Sequence, residues 1–295
     1  MLERLRRRPE RLTGWVALAV WATQPFGLGP LLGEALDPTR GLFRTAASWA
    51  LWVWWLVVLV ALALPRPLML TIARVGGLAA VPAAAWASFE TDDNATIALG
   101  LVSAVAAAMA LLSPALADRF IDGVSYGDER RFVLRPPGPV LFAVLFPSWA
   151  VAIGGFVAGP AFLADERWVL GGVLVAIGWP LSFLAFRALH QLTNRFLVFV
   201  PNGLVVHDLT VMRDPVLFVS PGIVGLAPAL ADTAADDMTS SALGLALELK
   251  LAEPVKVLAI VGRETHEREV RAILIAPSRP AAVMQVAKER GIRIA

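Results

Sequence analysis

The hydrophobic pattern changes period once along the chain. Up to Leu189, apolar residues run together in blocks; after Thr193–Asn194 they alternate with polar ones. The blocks predict helices at about 13–33, 43–64, 67–89, 94–117, 139–163 and 167–189. Each has roughly the 20 apolar residues needed to cross a hydrocarbon core about 30 Å thick. Lipid cannot satisfy open backbone groups, so a crossing block must be helical. Pro25, Gly27, Gly29 and Pro30 make the second half of the first block irregular and predict a break there. Pro82, Pro147, Pro160 and Pro180 fall within later spans, and small residues at 76–85 and 103–110 suit close helix packing.

The alternating part predicts strands at about 195–200, 204–211, 215–219, 222–227, 245–251, 255–261 and 268–276. Pro201–Asn202–Gly203 reads as a hairpin turn in which Asn and Gly accept positive φ. Met212–Arg213–Asp214 and Ser220–Pro221–Gly222 read as the next turns, and residues 231–243 as a mobile acidic loop. Ser278 is placed to cap a last helix with Pro280 in its first turn, an apolar face at Val283, Val286 and Ala287, and Gly291 at its stop. Seven strands and then one helix is the order of a pleckstrin-homology-like (PH-like) barrel, whose helix plugs one open end. The expected fold is a six-helix transmembrane bundle over 1–189, with a loop at 118–138, followed over 190–295 by an all-β PH-like barrel with a capping α-helix.

Charge sets the expected orientation. One set of flanks carries Arg4, Arg6, Arg7, Arg8, Arg11, Arg66, Arg119, Arg130, Arg131, Arg135, Arg187 and Arg195; the opposite set has only Arg40, Arg44 and Arg167. The positive-inside rule then predicts a multi-pass protein of the inner (plasma) membrane with both termini cytoplasmic. The arginine-rich start resembles that of a signal peptide, but no clear small-residue cleavage site follows, so it reads as a retained first helix. Net charge is +2 and belongs to the membrane half; residues 190–295 balance 11 basic against 11 acidic side chains. That neutrality argues against nucleic acid as a partner. Cysteine is absent, which excludes disulfides, thiolate metal sites and cysteine nucleophiles.

Chemistry is sparse. His207 and Asp208 are neighbours on an alternating strand and face opposite ways, so they do not form a base pair on one substrate. No H-E-x-x-H, G-x-S-x-G, phosphate-loop or dinucleotide motif occurs. Glu90, Asp92 and Asp93 make a poor metal site without histidine. No catalytic residue, metal or cofactor is assigned. Trp49, Trp52, Trp54, Trp55, Trp86 and Trp168 read as an interfacial belt, with an aromatic cage for a cation as the alternative. Arg74, the deepest charge in a span, is expected to snorkel outwards. The loop at 118–138 offers Tyr126, Arg130, Arg131 and Arg135 for lipid phosphates or a partner, and residues 131–135 could form a strand that docks on the β domain. In the β domain, Arg195, Asn202, His207, Asp208, Arg213 and Asp214 are the candidates for recognition. Asp208 and Asp214 could instead accept backbone N–H bonds within their own turns.

A run of spans followed by RFLVFVPNGLVVHD and DPVLF resembles actinobacterial multi-pass membrane proteins that carry a bacterial PH-like domain. The residues that carry the resemblance are Arg195, Phe196, Val200, Pro201, Gly203, Val206, His207, Asp208, Asp214, Pro215, Leu217 and Phe218. It implies docking or assembly at the membrane. Eukaryotic relatives of that fold grip phosphoinositides with clustered Lys and Arg near the first hairpin; here the turn is Pro-Asn-Gly. The expected function is therefore non-enzymatic docking of another membrane or cytoplasmic protein, with membrane lipids around the spans and a homo-oligomer as a further possibility. A transporter or channel subunit with a regulatory domain is the first alternative, and a cell-envelope enzyme using the outer acids is the second.

Overall fold

The structure, a computed structural model, describes residues 9–39, 41–261 and 264–294. Arg4, Arg6, Arg7, Arg8 and Arg40, which enter the charge argument, lie outside the described residues. The chain divides into a helical unit, up to Phe120 and Phe146–His190, and a β unit, Ile121–Leu145 and from Gln191 onward.

The helical unit follows the apolar blocks. Among the described residues, six helices are long and apolar enough to cross a membrane: Leu12–Leu36, Gly41–Ala63, Pro67–Ala87, Asn94–Leu112, Gly138–Ala164 and Trp168–Thr193. The first is built from α1 (Pro9–Ala22) and α2 (Gln24–Leu36), with the expected break at Thr23. The second is α3 (Gly41–Ala63). The third is α4 (Pro67–Leu78) and α5 (Ala80–Ala87), and the fourth is α6 (Asn94–Leu112). Pro114 starts a separate short helix, α7 (Pro114–Asp122). The fifth span ends in α8 (Phe146–Ala164) after a π-helical turn at Leu141–Leu145, and the sixth is α9 (Trp168–Thr193).

The breaks are held together by donors from other helices. Pro25 has no N–H, so the carbonyl of Trp21 loses its helical partner. The Trp55 indole donates to that carbonyl at 3.1 Å, and the Trp21 indole donates back to Trp55 O at 2.9 Å. Pro160 frees Phe156 O in the same way, and Trp179 Nε1 donates to it at 3.3 Å. At the α4–α5 break, Trp54 donates to Gly76 O at 2.9 Å and Trp149 to Val75 O at 3.1 Å. Arg74 also turns inward: its Nε donates to Leu111 O, near the end of α6, at 3.0 Å, rather than reaching out to water alone. Trp49, Trp52, Trp86 and Trp168 are exposed on the helical surface, as a belt requires. Trp54 and Trp55 leave that expected belt because their N–H groups are needed inside.

Among the described residues the β unit has two four-stranded sheets, and neither closes into the expected barrel. The first has the order β1 (Arg130–Val133), β2 (Phe196–Val200), β3 (Gly203–His207), β4 (Val216–Val219). The second is β5 (Ile223–Pro228), β7 (Leu247–Val261), β8 (Glu264–Ile275), β6 (Asp236–Asp237). The segment expected to dock from the 118–138 loop is thus an integral edge strand. The strands expected at 245–251 and 255–261 form one strand, β7, whose pairing shifts register between Lys250 and Val255, around Pro254. The loop expected at 231–243 is tied down: β6 pairs parallel to β8, Met238 enters the core, and the Asp237 carboxylate accepts from Thr239 N at 2.7 Å.

Both sheets turn their alternate residues onto one core, with Phe132, Leu197, Phe199, Leu204 and Phe218 from the first and Leu247, Leu249, Ile273 and Ile275 from the second. Each such side chain contributes about 1.5–3 kcal/mol by leaving water. Helix α10 (Pro280–Glu289) adds Val283 and Ala287. Ser278 does not cap it. The residue at the cap position is Arg279, whose side chain does not cap the helix, and Ser278 Oγ is buried with no partner among the described residues. The stop is as expected: Gly291 has φ +76°, and Ile292 N donates to Ala287 O at 2.9 Å while Gly291 N donates to Lys288 O. In the first hairpin the turn is Pro201–Asn202, and Asn202 keeps a negative φ. Gly203 is needed for a different reason, since a Cβ there would collide with Phe218 O.

The indole bonds give a direct test. Trp179→Phe should lower stability by about 1 kcal/mol in bicelles. In a Pro160→Ala background, which restores an N–H for Phe156 O, the same change should cost less than half as much. Equal costs in the two backgrounds, read by a double-mutant cycle of reversible SDS unfolding, would refute the pairing.

Candidate functional site

The two-residue hairpin sets what the first sheet presents. Counting back from Val200↔Gly203 leads to Phe196↔His207. The next residues outward, Arg195 and Asp208, have the parity of Leu197 and Val206 and so point to the core side. They are 2% and 0% exposed. Arg195 Nε donates to Asp208 Oδ1 at 2.8 Å and Nη2 donates to Oδ2 at 2.6 Å. Arg195 Nη1 donates to Arg135 O at 2.8 Å, and Asp208 Oδ1 also accepts from Thr210 N at 3.1 Å and Thr210 Oγ1 at 2.6 Å. These acceptor bonds curl the chain after His207, which is why β3 stops there instead of running on to Val211. Both residues are corrected from recognition candidates to an internal lock: neither meets solvent.

Arg135 is likewise turned inward. Its guanidinium donates to Pro277 O at 3.1 Å, to Leu243 O at 2.6 Å and to Leu245 O, holding the turn around Gly244. Partial burial of that guanidinium pushes its pKa below the usual arginine value, because desolvation disfavours the charge. Arg130 forms an ion pair with Asp122 at 3.4 Å and lies over the Phe132 ring.

The other face of the first sheet is different. His207 stacks on Phe196, with centroids 4.5 Å apart and planes within 1° of parallel. Arg131 lies over Phe196 at 5.6 Å, and its Nη2 donates to Glu129 Oε2 at 2.9 Å. His207 Nδ1 bonds Asn194 O at 3.0 Å. Arg131, Phe196 and His207 thus form one ladder of contacts across three strands. Phe196 was missing from the recognition candidates; its parity with His207 was the available signal. The same face carries Leu217 and Val219 on β4, 47% and 51% exposed. β4 ends its sheet, so half of its backbone groups have no neighbouring strand.

The remaining candidates lie at opposite ends of this sheet. Tyr126, exposed, sits in a turn closed by Glu129 N to Tyr126 O, at the end that holds the Pro201–Asn202 hairpin. Exposed Asn202 accepts from Ser220 N through its carbonyl at 2.8 Å. Arg213 and Asp214 are exposed at the end holding His207, and no described residue bonds either side chain. The two ends are about 13 Å apart over the four-residue rise of β2. The ten candidates therefore do not form one site. Away from this unit, Asp93 caps α6, accepting from Ala95 N and Thr96 N at 3.2 Å and from Thr96 Oγ1 at 2.6 Å. The Thr96 hydroxyl and those two N–H groups hold its carboxyl below the usual aspartate range.

No protein-family model, curated protein or solved structure matches the chain.

Two predictions follow from this geometry. Arg195→Met alone should destabilise the β unit by about 3–5 kcal/mol, because Asp208 is left charged and buried. Arg195→Met with Asp208→Met should recover at least half of that loss, read by hydrogen exchange at the Leu197 and Phe199 amides. The second concerns Glu129, whose pKa is lowered chiefly by the hydrogen bond from Arg131. A depressed carboxylate stabilises the fold fully above its unfolded pKa and loses that effect as pH falls through its folded pKa. The stability gap between the natural chain and Glu129→Gln should therefore be constant at neutral pH and shrink only below the ordinary glutamate value of 4.5; a gap that widens with acid would contradict the pairing.

Proposed function

We propose that the chain is a non-enzymatic multi-pass protein of the inner (plasma) membrane whose β unit is a PH-like docking module on the cytoplasmic side. Six apolar helices support the membrane part. The arginine distribution, 12 against 3 along the sequence, supports the orientation. Two sheets sharing a core with a C-terminal helix support the PH-like reading, in an open form. The ligand of the module is another protein rather than an anionic lipid. The domain is neutral, and Arg130, Arg131, Arg135 and Arg195 all have internal partners.

The observation that carries this reading is β4. It is an edge strand with two exposed apolar side chains on one face, beside the Arg131–Phe196–His207 ladder. Such an edge accepts an added strand: backbone bonds supply affinity, and the flanking side chains supply selectivity. Association with the same membrane raises the local concentration of a membrane-bound partner, so a weak contact suffices.

A photo-crosslinking amino acid at Val219, in the full chain in its native membrane, tests this. The expected product is a protein adduct of discrete mass that disappears when Leu217→Lys blocks the edge. Adducts with lipid alone, or an adduct indifferent to Leu217→Lys, would overturn the proposal.

A further inference from the structure

One sheet edge of the β unit is left unguarded. β6 is two aspartates, short and charged, and β8 beyond it is charged from Glu264 to Glu269. β1 carries Arg130 and Arg131 and continues into a bridge between Leu134 and Pro277; β5 is bridged at Leu226 to Ile294. Charge and cover are how sheets keep their edges from pairing. β4 has neither: residues 215–219, Pro-Val-Leu-Phe-Val, are uncharged, and no described strand lies beyond them.

The hairpin count fixes which backbone groups are open. Flanking a two-residue turn, Val200 and Gly203 form a hydrogen-bonded pair, so Gly203 turns its N–H and C=O towards β2. Leu204 and Val206 then turn theirs towards Phe218 and Val216. Ser220 N keeps that parity, donating to Asn202 O at 2.8 Å. Leu217 and Val219 therefore point their N–H and C=O groups to the open edge, and Pro215 O shares the direction. Two groups are missing from this series. Pro215 has no N–H. Val219 precedes the 3-10 turn Ser220–Gly222, and its carbonyl takes the turn's first bond. The open set is Leu217 N–H, Leu217 O, Val219 N–H and Pro215 O.

That set is complementary to itself. A second β4 laid antiparallel with Leu217 opposite Leu217 puts Val219 opposite Pro215 at both ends. Each Leu217 N–H meets the other copy's Leu217 O, and each Val219 N–H meets the other copy's Pro215 O. The two missing groups are each other's counterparts in that register, so donors and acceptors match with none left over. We propose that the strand β4 accepts is β4 of a second copy of this chain, related by a two-fold axis at Leu217. The side chains agree. The apolar row Val198, Val205, Leu217 continues across the axis, and no like charges face each other. Counting on, the Asp214 carboxylate, which no described residue bonds, falls opposite Ser220 and its hydroxyl donor. This inference rests on the reading of β4 as a strand-accepting edge and names the strand. Spans in one membrane hold the copies at high local concentration, so four bonds and the burial of Leu217 and Val219 suffice.

The chain has no cysteine, so a single introduced one reports the register. Opposed Leu217 Cα atoms in a hydrogen-bonded pair are about 5.5 Å apart, within disulfide reach. The two Val219 residues are displaced by about 14 Å along the strands, beyond that reach. With copper phenanthroline as oxidant, the full chain in its native membrane should form a disulfide dimer of twice 31.5 kDa from Leu217→Cys and stay monomeric with Val219→Cys. Adding Val219→Pro to Leu217→Cys should cut the dimer about tenfold, since two of the four bonds are lost. Val219 has φ −73°, which proline adopts, and its N–H has no partner within the chain, so thermal stability should not change. Equal dimer from both cysteines, or dimer indifferent to Val219→Pro, would mean random collision and overturn the proposal; if Val219→Pro fails to fold, the two cysteines decide alone. Absence of dimer from Leu217→Cys also overturns it. In that case a photo-adduct at Val219 with a protein of another mass leaves the docking reading standing, and absence of that adduct too removes both.

Discussion

Inside a bilayer, a carbonyl that loses its helical N–H has no water to turn to, and this condition organises the helical unit. A bare carbonyl in hydrocarbon costs several kcal/mol. The chain nevertheless breaks its helices at Thr23, at Ala79 and after Leu112, and places Pro160 within α8. Carbonyls at each of these places accept from a side chain of another helix: Trp55, Trp54 and Trp149, Arg74, and Trp179. An indole suits this task. It buries a large apolar body, carries one donor and has no acceptor that would need its own partner. The breaks therefore select which helices are neighbours, and tryptophans that look like lipid-facing bulk become cross-links.

Arginine has the corresponding task in the β unit. Arg135 reaches three carbonyls from two distant segments, and Arg195 joins the Asp208 carboxylate to Arg135 O. The planar guanidinium carries five donors in a fixed fork, so one side chain can tie several loop ends together where a hydroxyl or amide could not. Most of that bonding energy offsets desolvation of the ions. Its structural effect is to fix where the ends of β1, β2 and β3 meet.

Legibility in the sequence followed the distance between partners. Spans, the break in the first of them and the first hairpin were readable because their causes are local: apolar runs, prolines, a two-residue turn; the breaks at Ala79 and after Leu112 were not. The Arg195–Asp208 lock was also within reach, since counting from that turn places the two opposite each other on the core side. The Arg135 clamps were not, since their acceptors lie more than 100 residues away along the chain. Ser278 shows the converse error: a good capping residue by type sits one position too early, and Arg279 takes the helix boundary. Residues 231–243 look mobile because they are acidic and small, yet Met238 anchors them in the core. The long β7 looked like two strands because Pro254 reads as a stop, whereas a register shift carries the strand past it.

What the fold leaves unsatisfied is then more informative than which residue types it contains. Ten polar residues drew attention in the sequence, and most of them bond to the chain itself. Charge is a poor guide here, since an arginine that holds three carbonyls is no longer a phosphate ligand. Unmet capacity among the described residues includes an edge strand with open backbone and exposed Leu217 and Val219, and buried oxygens without a donor, such as Ser278 Oγ in the β unit and Gln24 Oε1 at the middle of the first span. The first has water as an alternative partner, so a protein that adds a strand there gains only the difference between two sets of hydrogen bonds plus the burial of two apolar side chains. The buried oxygens have less than 1 Å² of accessible surface, so each is a local cost that the packing around it offsets. An open group at a wet edge therefore costs little, whereas a group sealed inside the fold is carried by the contacts that seal it.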